Sequence, residues 1–478
     1  MISSAAAALM GSAVVGPSPG RASLAQTDTR DPTMSTTSPR PGTPAAPDHE
    51  TRRARLAVAL LFLTNGALFS NLLPRYPAIK EALDLSNASF GLAVAAGPVG
   101  AIVAGLAASW LIRRFRSSRV AVVGTVVTAV VVLLAGLSPV GALFASALFV
   151  AGALDAIVDV AQNSHGLRVQ RRYGRSILNS FHAIWSVGAV AGGLMGGAAA
   201  GLGVPIGVHL AISGVVFGVV AVVSYRLMLR GPEPASELEE APATPTEGVA
   251  SSSTSAPVPV AGAETDASSG IGSGSDAGAR VRRSAVKLGT WGVLVALVLI
   301  AASGTVVEDA GNTWAALYLS GSLGAGVTVA ALGFVALQGA QFVGRILGDR
   351  LVDRFGQRAV ARVGGALVFV GMGQALAFPS VGTTILGFAL AGFGVATLIP
   401  AAMHAADTLQ GFRPGTGLTL VSWLMRLGFL AAPPLIGAVA DASSLRVGLL
   451  LIPAVGLVVL ALSGVLAGRQ RPAPHPHG

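Results

Sequence analysis

Twelve apolar stretches of roughly twenty residues each, separated by short polar or arginine-bearing segments, dominate the chain. Six precede residue 230, approximately over Arg55–Leu73, Phe90–Ile112, Arg119–Leu137, Gly141–Leu167, Ile177–Gly201 and Pro205–Leu229. Six more follow residue 287, roughly over Leu288–Leu319, Val327–Leu351, Ala359–Phe378, Val381–Met403, Gly417–Val439 and Leu445–Leu466. Inside lipid every backbone N–H and C=O must be bonded within the protein, so runs of this length span as helices. The pattern predicts an all-α membrane protein with 12 transmembrane helices in two six-helix bundles.

The polar stretches divide the chain. Residues 1–53 are rich in Ala, Ser, Thr and Pro without helical period and are expected to form a cytoplasmic tail. Met1 to Val15 has the faint look of a secretory apolar region, but no basic segment precedes it; Met34 is an alternative start. Residues 54–229 form the first expected bundle, and 288–467 the second. Between them, 230–287 is full of Pro, Ser, Gly and acids such as Glu233, Glu237, Glu239 and Glu240, a composition that reads as a flexible linker. Residues 468–478, with His475 and His477, are a terminal tail.

Composition narrows the function. Of 478 residues, 52% are hydrophobic and only 11% charged, against about 25% charged in soluble proteins. Cysteine is absent, which excludes disulfides and thiolate metal sites. Lysine occurs only at Lys80 and Lys287, neither in a phosphate-cradling loop, so ATP-driven pumping by this polypeptide is not expected. Neither a metal constellation nor a nucleophile–base pair stands out, and the expectation is no enzyme and no cofactor. The net charge of +10 would suggest nucleic acid in a soluble chain. Here the basic residues sit between spans and report orientation. Arg113, Arg114, Arg116, Arg119, Arg168, Arg171, Arg172, Arg175, Arg280, Arg282, Arg283, Arg350, Arg354 and Arg358 fall on one side, whereas the other offers Arg75, Lys80 and Arg446. The positive-inside rule then places both termini in the cytoplasm and the protein in the cell (inner or plasma) membrane.

The halves repeat. A shift of about 240 residues lays Arg114-Phe115 on Arg354-Phe355, Val120 on Val360, Gly124 on Gly364, Gly188 on Gly428 and Gly197 on Gly437. Two related halves are the architecture that rocks a central site between two faces. Between spans eight and nine stands Gly344-Arg-Ile-Leu-Gly348-Asp349-Arg-Leu-Val-Asp353-Arg354-Phe-Gly356-Gln-Arg358. This closely resembles the signature loop of the major facilitator superfamily. Its glycines permit close approach and a tight turn, and Asp353 is suited to latch the cytoplasmic face by accepting from a helix N-terminus or a basic group. The first-half copy departs from it, with Arg113 in the place of Asp353 and Arg116 in the place of Gly356.

Further segments resemble the fucose permease-related branch: Leu73-Pro74-Arg75-Tyr-Pro77-Ala-Ile-Lys80, Asp159-Val-Ala-Gln162-Asn163, Ser180-Phe-His182-Ala-Ile-Trp185-Ser-Val-Gly188 and Glu308-Asp309 followed by Trp314-Ala-Ala-Leu-Tyr318. The resemblance implies that Asp159, with Asn163 four residues on, takes part in proton-coupled solute uptake. The companion acid of span one is not matched, because Ser70 occupies its place.

Read on their own, the intramembrane polar residues point to a cavity, since an ionisable group in hydrocarbon needs a partner or water. Asp155, Asp159 and Gln162 fall on one side of span four, and His182 of span five is expected near the depth of Asp159. Either a salt bridge that fastens the hairpin or a proton-carrying carboxylate fits. Thr305, Glu308, Asp309 and Asn312 make a polar face on span seven. Arg426, at about midplane depth in span eleven, needs an anion: a protein carboxylate or an anionic substrate. His209 and His404 read as packing and span-end residues. Pro98, Pro400 and Pro433-Pro434 read as kinks, and Gly188, Gly192 and Gly196 as a close-packing ridge. That glycine run lacks the proline of drug:proton antiporters. The expected function is therefore secondary transport of a small polar solute by alternating access, as proton-coupled uptake, by a monomer whose partners are the solute, protons and the bilayer, without nucleic acid. Proton-coupled efflux and a non-conducting sensor are the alternatives.

Overall fold

Asp48 starts the first helix: its side chain accepts from the Thr51 backbone N–H at 2.7 Å, satisfying a donor that a helix start leaves open. The hydrogen bonds from Thr51 hold the exposed Asp48 carboxyl below the ordinary Asp range. Helix therefore begins at His49, and residues 49–53, which composition had left in the tail, belong to span one. The computed structural model describes residues 48–231, 288–409, 412 and 415–467. The rest of the expected tails and linker lies outside the described residues.

Among the described residues there is no strand, and twelve helical stretches are long and apolar enough to cross a membrane. Spans one to six are His49–Ala82, Asn87–Phe115, Ser117–Gly136, Gly141–Tyr173, Leu178–Gly201 and Ile206–Leu227. Spans seven to twelve are Gly289–Ser322, Val327–Phe355, Gln357–Ala377, Val381–Asp407, Thr416–Ala442 and Leu445–Val465.

Interruptions in these helices have local causes. In span one, Pro74 and Pro77 lack N–H groups, and the chain passes through a 3-10 turn at Leu73–Arg75 before resuming at Tyr76–Ala82. In span ten, Pro400 would clash with the Ala396 carbonyl in a continuous helix, and the helix breaks between Val381–Val395 and Leu398–Asp407. Span eleven breaks at Met425, between Thr416–Leu424 and Arg426–Ala442. There the Met425 carbonyl accepts from the Gly428 backbone N–H at 2.9 Å and lies 3.0 Å from Thr305 Oγ1, so a side chain of span seven adds to the bonding at the break.

Spans one and five pack through the expected glycine ridge. A Cβ on Gly188, Gly192 or Gly196 would run into the carbonyl oxygens of Leu63, Ala67 and Asn71, so the two backbones touch. Span two packs on four, and three on four and six; in the second half, nine packs on ten and twelve, and eight on ten. The halves meet along two seams, span two against eleven and span five against eight. The close approaches along them lie toward the arginine-poor face. Gly91 meets Pro433, Gly437 meets Asn87, and Gly197 and Gly201 meet Ala331 and Thr328.

The repeat is visible in the turns. Gly356, between spans eight and nine, has φ 82° and ψ 152°, a conformation that suits glycine. Its counterpart Arg116, between spans two and three, has φ 74° and ψ 145°. The turn is kept although the glycine is not.

Candidate functional site

A cavity of about 240 Å³ lies where the halves meet. Its wall takes Asn65, Ser70 and Tyr76 from span one, Asp155 from span four, Trp185 from span five, Glu308, Asp309 and Asn312 from span seven, Gln338 from span eight and Arg426 from span eleven. Of the residues picked from sequence, Asp155, Glu308, Asp309, Asn312 and Arg426 thus share one chamber. Arg426 opens the second half-helix of span eleven, directly after the break at Met425.

Each pole of the chamber has its own hydrogen-bond network. At one, Trp185 Nε1 donates to Asn65 Oδ1 at 3.1 Å, and Asn65 Nδ2 donates to Asp155 Oδ1 at 3.2 Å. The indole fixes the orientation of the amide, and the amide presents its N–H to the acid. At the other pole, Gln341 Nε2 donates to Glu308 Oε2 at 3.0 Å, and Arg345 Nη2 stands 3.8 Å from the same oxygen. Asp309 Oδ2 and Asn312 Oδ1 are buried with no protein hydrogen-bond partner among the described residues. Buried acceptors left open in this way mark where a solute donor, a proton or water completes the site.

The remaining candidates lie off the cavity wall. Asn163 Nδ2 donates to Asp159 Oδ1 at 2.9 Å and to the Asp159 carbonyl at 3.0 Å, a bond within one turn of span four. Gln162 Nε2 donates to the Leu61 carbonyl of span one at 3.3 Å and so fastens two helices. His182 sets its ring edge-on against Phe62, with centroids 5.2 Å apart. His209 is buried as expected and also bonded, its Nε2 lying 2.8 Å from Asn71 Oδ1.

Arg75, read as an outer-loop residue, is buried instead. It donates to the Val204 carbonyl at 3.0 Å and to His209 Nδ1 at 3.4 Å. Arg168, counted among the loop arginines, donates to the Arg230 carbonyl at 2.8 Å and ties down the end of span six.

In the signature loop, Gly344 and Gly348 approach span ten at Phe393, Ala396 and Thr397, where a side chain would not fit. Arg358 donates to the Leu466 carbonyl at 3.0 Å, joining the loop to span twelve. Arg354 lies over the Phe355 ring at 5.4 Å. Asp349 and Asp353 are exposed, and neither makes an ion pair or side-chain hydrogen bond with another described residue. The expected latch is not engaged in this conformation.

Sequence reasoning missed Arg345 and Asn65 as site residues, and Trp185 entered only as part of a resembling segment, without a role. Arg345 carried a usable signal, because it falls inside the predicted eighth span and the cost of an intramembrane charge applies to it as to Arg426. Asn65 had none beyond being polar and mid-span.

On the arginine-poor side an aromatic cluster closes the chamber. Phe90 packs against Tyr76, Phe144 and Trp314 with centroid distances of 5.3, 6.1 and 5.7 Å, so spans one, two, four and seven meet in one plug.

Comparison with known proteins bears on what such a chamber serves. The family model for the Major Facilitator Superfamily matches residues 58–308 and 295–478. The "Uncharacterized transporter y4wD" of Sinorhizobium fredii is 27% identical over 409 residues, covering 86% of this chain and 97% of that protein. "Membrane protein MosC" of Rhizobium meliloti is 36% identical over 190 residues, a match that spans 40% of this chain and 45% of that protein. Among solved structures, the nucleoside transporter NupG shares the fold at a TM-score of 0.59 and 11% identity, over 87% of this chain and 99% of that one. A bacterial homologue of the human lysosomal transporter Spinster, in an inward-facing and occupied conformation, gives 0.61 at 14% identity, over 87% and 96%. With both halves covered by the family model, the chain belongs to the Major Facilitator Superfamily and is a multi-pass membrane transporter of that type.

Proposed function

We propose that this transporter moves a small polar solute into the cell by alternating access, coupled to protons, with the central cavity as the solute site. The observation that carries the reading is the chamber itself. Carboxylates of both halves, Asp155 on one side and Glu308 and Asp309 on the other, line it together with Arg426. A site held jointly by two halves is one whose access changes when the halves rock, and acids buried in hydrocarbon are suited to pick up and release protons.

Asp155, Glu308 and Asp309 are the proton-carrying candidates. Asp159, off the wall and bonded to Asn163, supports the helix behind them. That Asp159–Asn163 pair also supports placing the chain in the fucose permease-related branch. Uptake rather than efflux is favoured by the proline-free glycine run of span five, Gly192-Gly193-Leu-Met-Gly196-Gly197.

In this reading the arginine-rich face is cytoplasmic and both termini lie inside. The conformation is then closed to the outside, since the aromatic plug and the tight seams lie toward the arginine-poor face. Residues 49–229 and 288–467 act as the two rocking bundles of a monomer, joined by the linker.

The test is reconstitution. A thermal-shift screen of sugars, organic acids and amino acids identifies a stabilising solute, and liposomes carrying the protein are then loaded under a pH gradient. Gradient-driven accumulation is expected. Binding without flux would favour the sensor alternative.

A further inference from the structure

Asp441 stands in the last turn of span eleven, where a negative charge opposes its own helix's dipole. The compensation comes from the other half of the molecule. Asp441 Oδ1 accepts from the backbone N–H and the side-chain Nδ2 of Asn87, both at 2.9 Å, and Oδ2 accepts from the backbone N–H of Ala88 at 2.8 Å. Asn87 and Ala88 are the first residues of span two, so these are donors that a helix start leaves open. Span two already has its own cap, Ser86, which takes the Ser89 N–H at 3.2 Å. The acid of span eleven completes the cap across the two halves.

The surrounding backbone shows that this is a seam. Added Cβ atoms on Gly437 and Gly91 would run into the carbonyls of Asn87 and Pro433, so the backbones of spans two and eleven touch at two points one turn apart beside the carboxylate. We propose that Asp441 is a positioning residue for transport: it clasps the N-terminus of span two and holds the arginine-poor face shut. Its three bonds join the two halves, so opening that face must break all three together. An interaction made in one state and lost in the other shifts the balance between them. This inference rests on the alternating-access reading proposed above. At the opposite face Asp353, which can make the same kind of contact, is exposed and makes no side-chain bond with another described residue. The two acids would thus serve opposite ends of the cycle.

The chain's lack of cysteine makes the test clean. A single cysteine at Val94, on the cavity wall two turns inside span two, is read with a membrane-impermeant maleimide. The reagent is added to right-side-out cells and, separately, to inside-out vesicles. Asp441→Ala should raise labelling from the arginine-poor face by about tenfold, equivalent to about 1.4 kcal/mol, and lower labelling from the arginine-rich face. General loosening would raise both rates, and that outcome overturns the clasp. Asp441→Asn, which keeps an acceptor oxygen without the charge, should fall between wild type and alanine. Asn87→Ala, which removes one of the three donors, should give a smaller shift in the same direction. If Asp441→Ala does not fold, these two milder variants carry the test. Unchanged labelling ratios in every variant that folds overturn the proposal. Solute flux measured on the same vesicles reports separately on transport, so failure of that reading would show as absent flux whatever the labelling does.

Discussion

Arg116→Gly should make the protein more stable, although it deletes a charged side chain at a turn geometry repeated in the two halves. Arg116 holds φ 74° and ψ 145°, a region open mainly to glycine. A non-glycine residue there stores roughly 1–3 kcal/mol of strain. Glycine returns part of that gain, because its freer unfolded chain costs about 0.5–1 kcal/mol. The Arg116 side chain is exposed and makes no hydrogen bond or ion pair with another described residue, so its removal takes little away. From the middle of both ranges the net expectation is a gain of about 1 kcal/mol, which at roughly 2–4 °C per kcal/mol amounts to a rise of a few degrees in thermal midpoint. Gly356→Ala is the mirror experiment, since Gly356 holds nearly the same backbone at φ 82°. It should lose about 1–3 kcal/mol. The assay is thermal unfolding of detergent-purified protein, followed by the monodisperse fraction on size exclusion. If Arg116→Gly is no more stable than wild type while Gly356→Ala is tolerated, the strain reasoning is refuted.

Two further outcomes follow from the buried charges and the loop. Arg345→Met should destabilise by about 3 kcal/mol, the low end for breaking a buried pair, because Gln341 still bonds Glu308 and the ion-pair distance is 3.8 Å. The Glu308→Gln/Arg345→Met double variant should recover most of that loss, and additive losses in the cycle would deny the pairing. Asp353→Asn should slow exchange between the two faces in single-cysteine labelling while leaving solute affinity in thermal shift unchanged. Lost affinity with normal exchange would contradict the latch.

The spans were legible because each is a local property, an apolar run long enough to cross lipid between arginine-bearing loops. The residues that meet in the cavity were legible for a related reason: charge inside an apolar run is conspicuous, and Asp155, Glu308, Asp309 and Arg426 all stand out that way. The network around them was not. Asn65 and Trp185 become informative only because spans one, four and five converge, and nothing along the chain announces which mid-span amide will meet which acid. Asp159 stood out by a motif match rather than by position: in the fold it bonds Asn163 and lies outside the residues that line the cavity. The seam contact from Asp441 to Asn87 joins residues 354 positions apart, beyond the reach of any local pattern. Arg116 was the informative exception: its mismatch with Gly356 at the repeat offset marked the turn before the backbone angles did.

Proton movement triggered by solute tests the central claim most directly. Liposomes carrying the protein and an internal pH dye, held without a gradient, receive the stabilising solute from the thermal-shift screen. Wild type should acidify the lumen as solute enters. Asp155→Asn should abolish that signal while still exchanging labelled solute across the membrane, since the amide imitates a protonated carboxyl. Asp159→Asn should retain it. Solute entry without acidification in wild type would contradict proton coupling; a normal signal from Asp155→Asn with loss in Asp159→Asn would move the proton off the cavity wall.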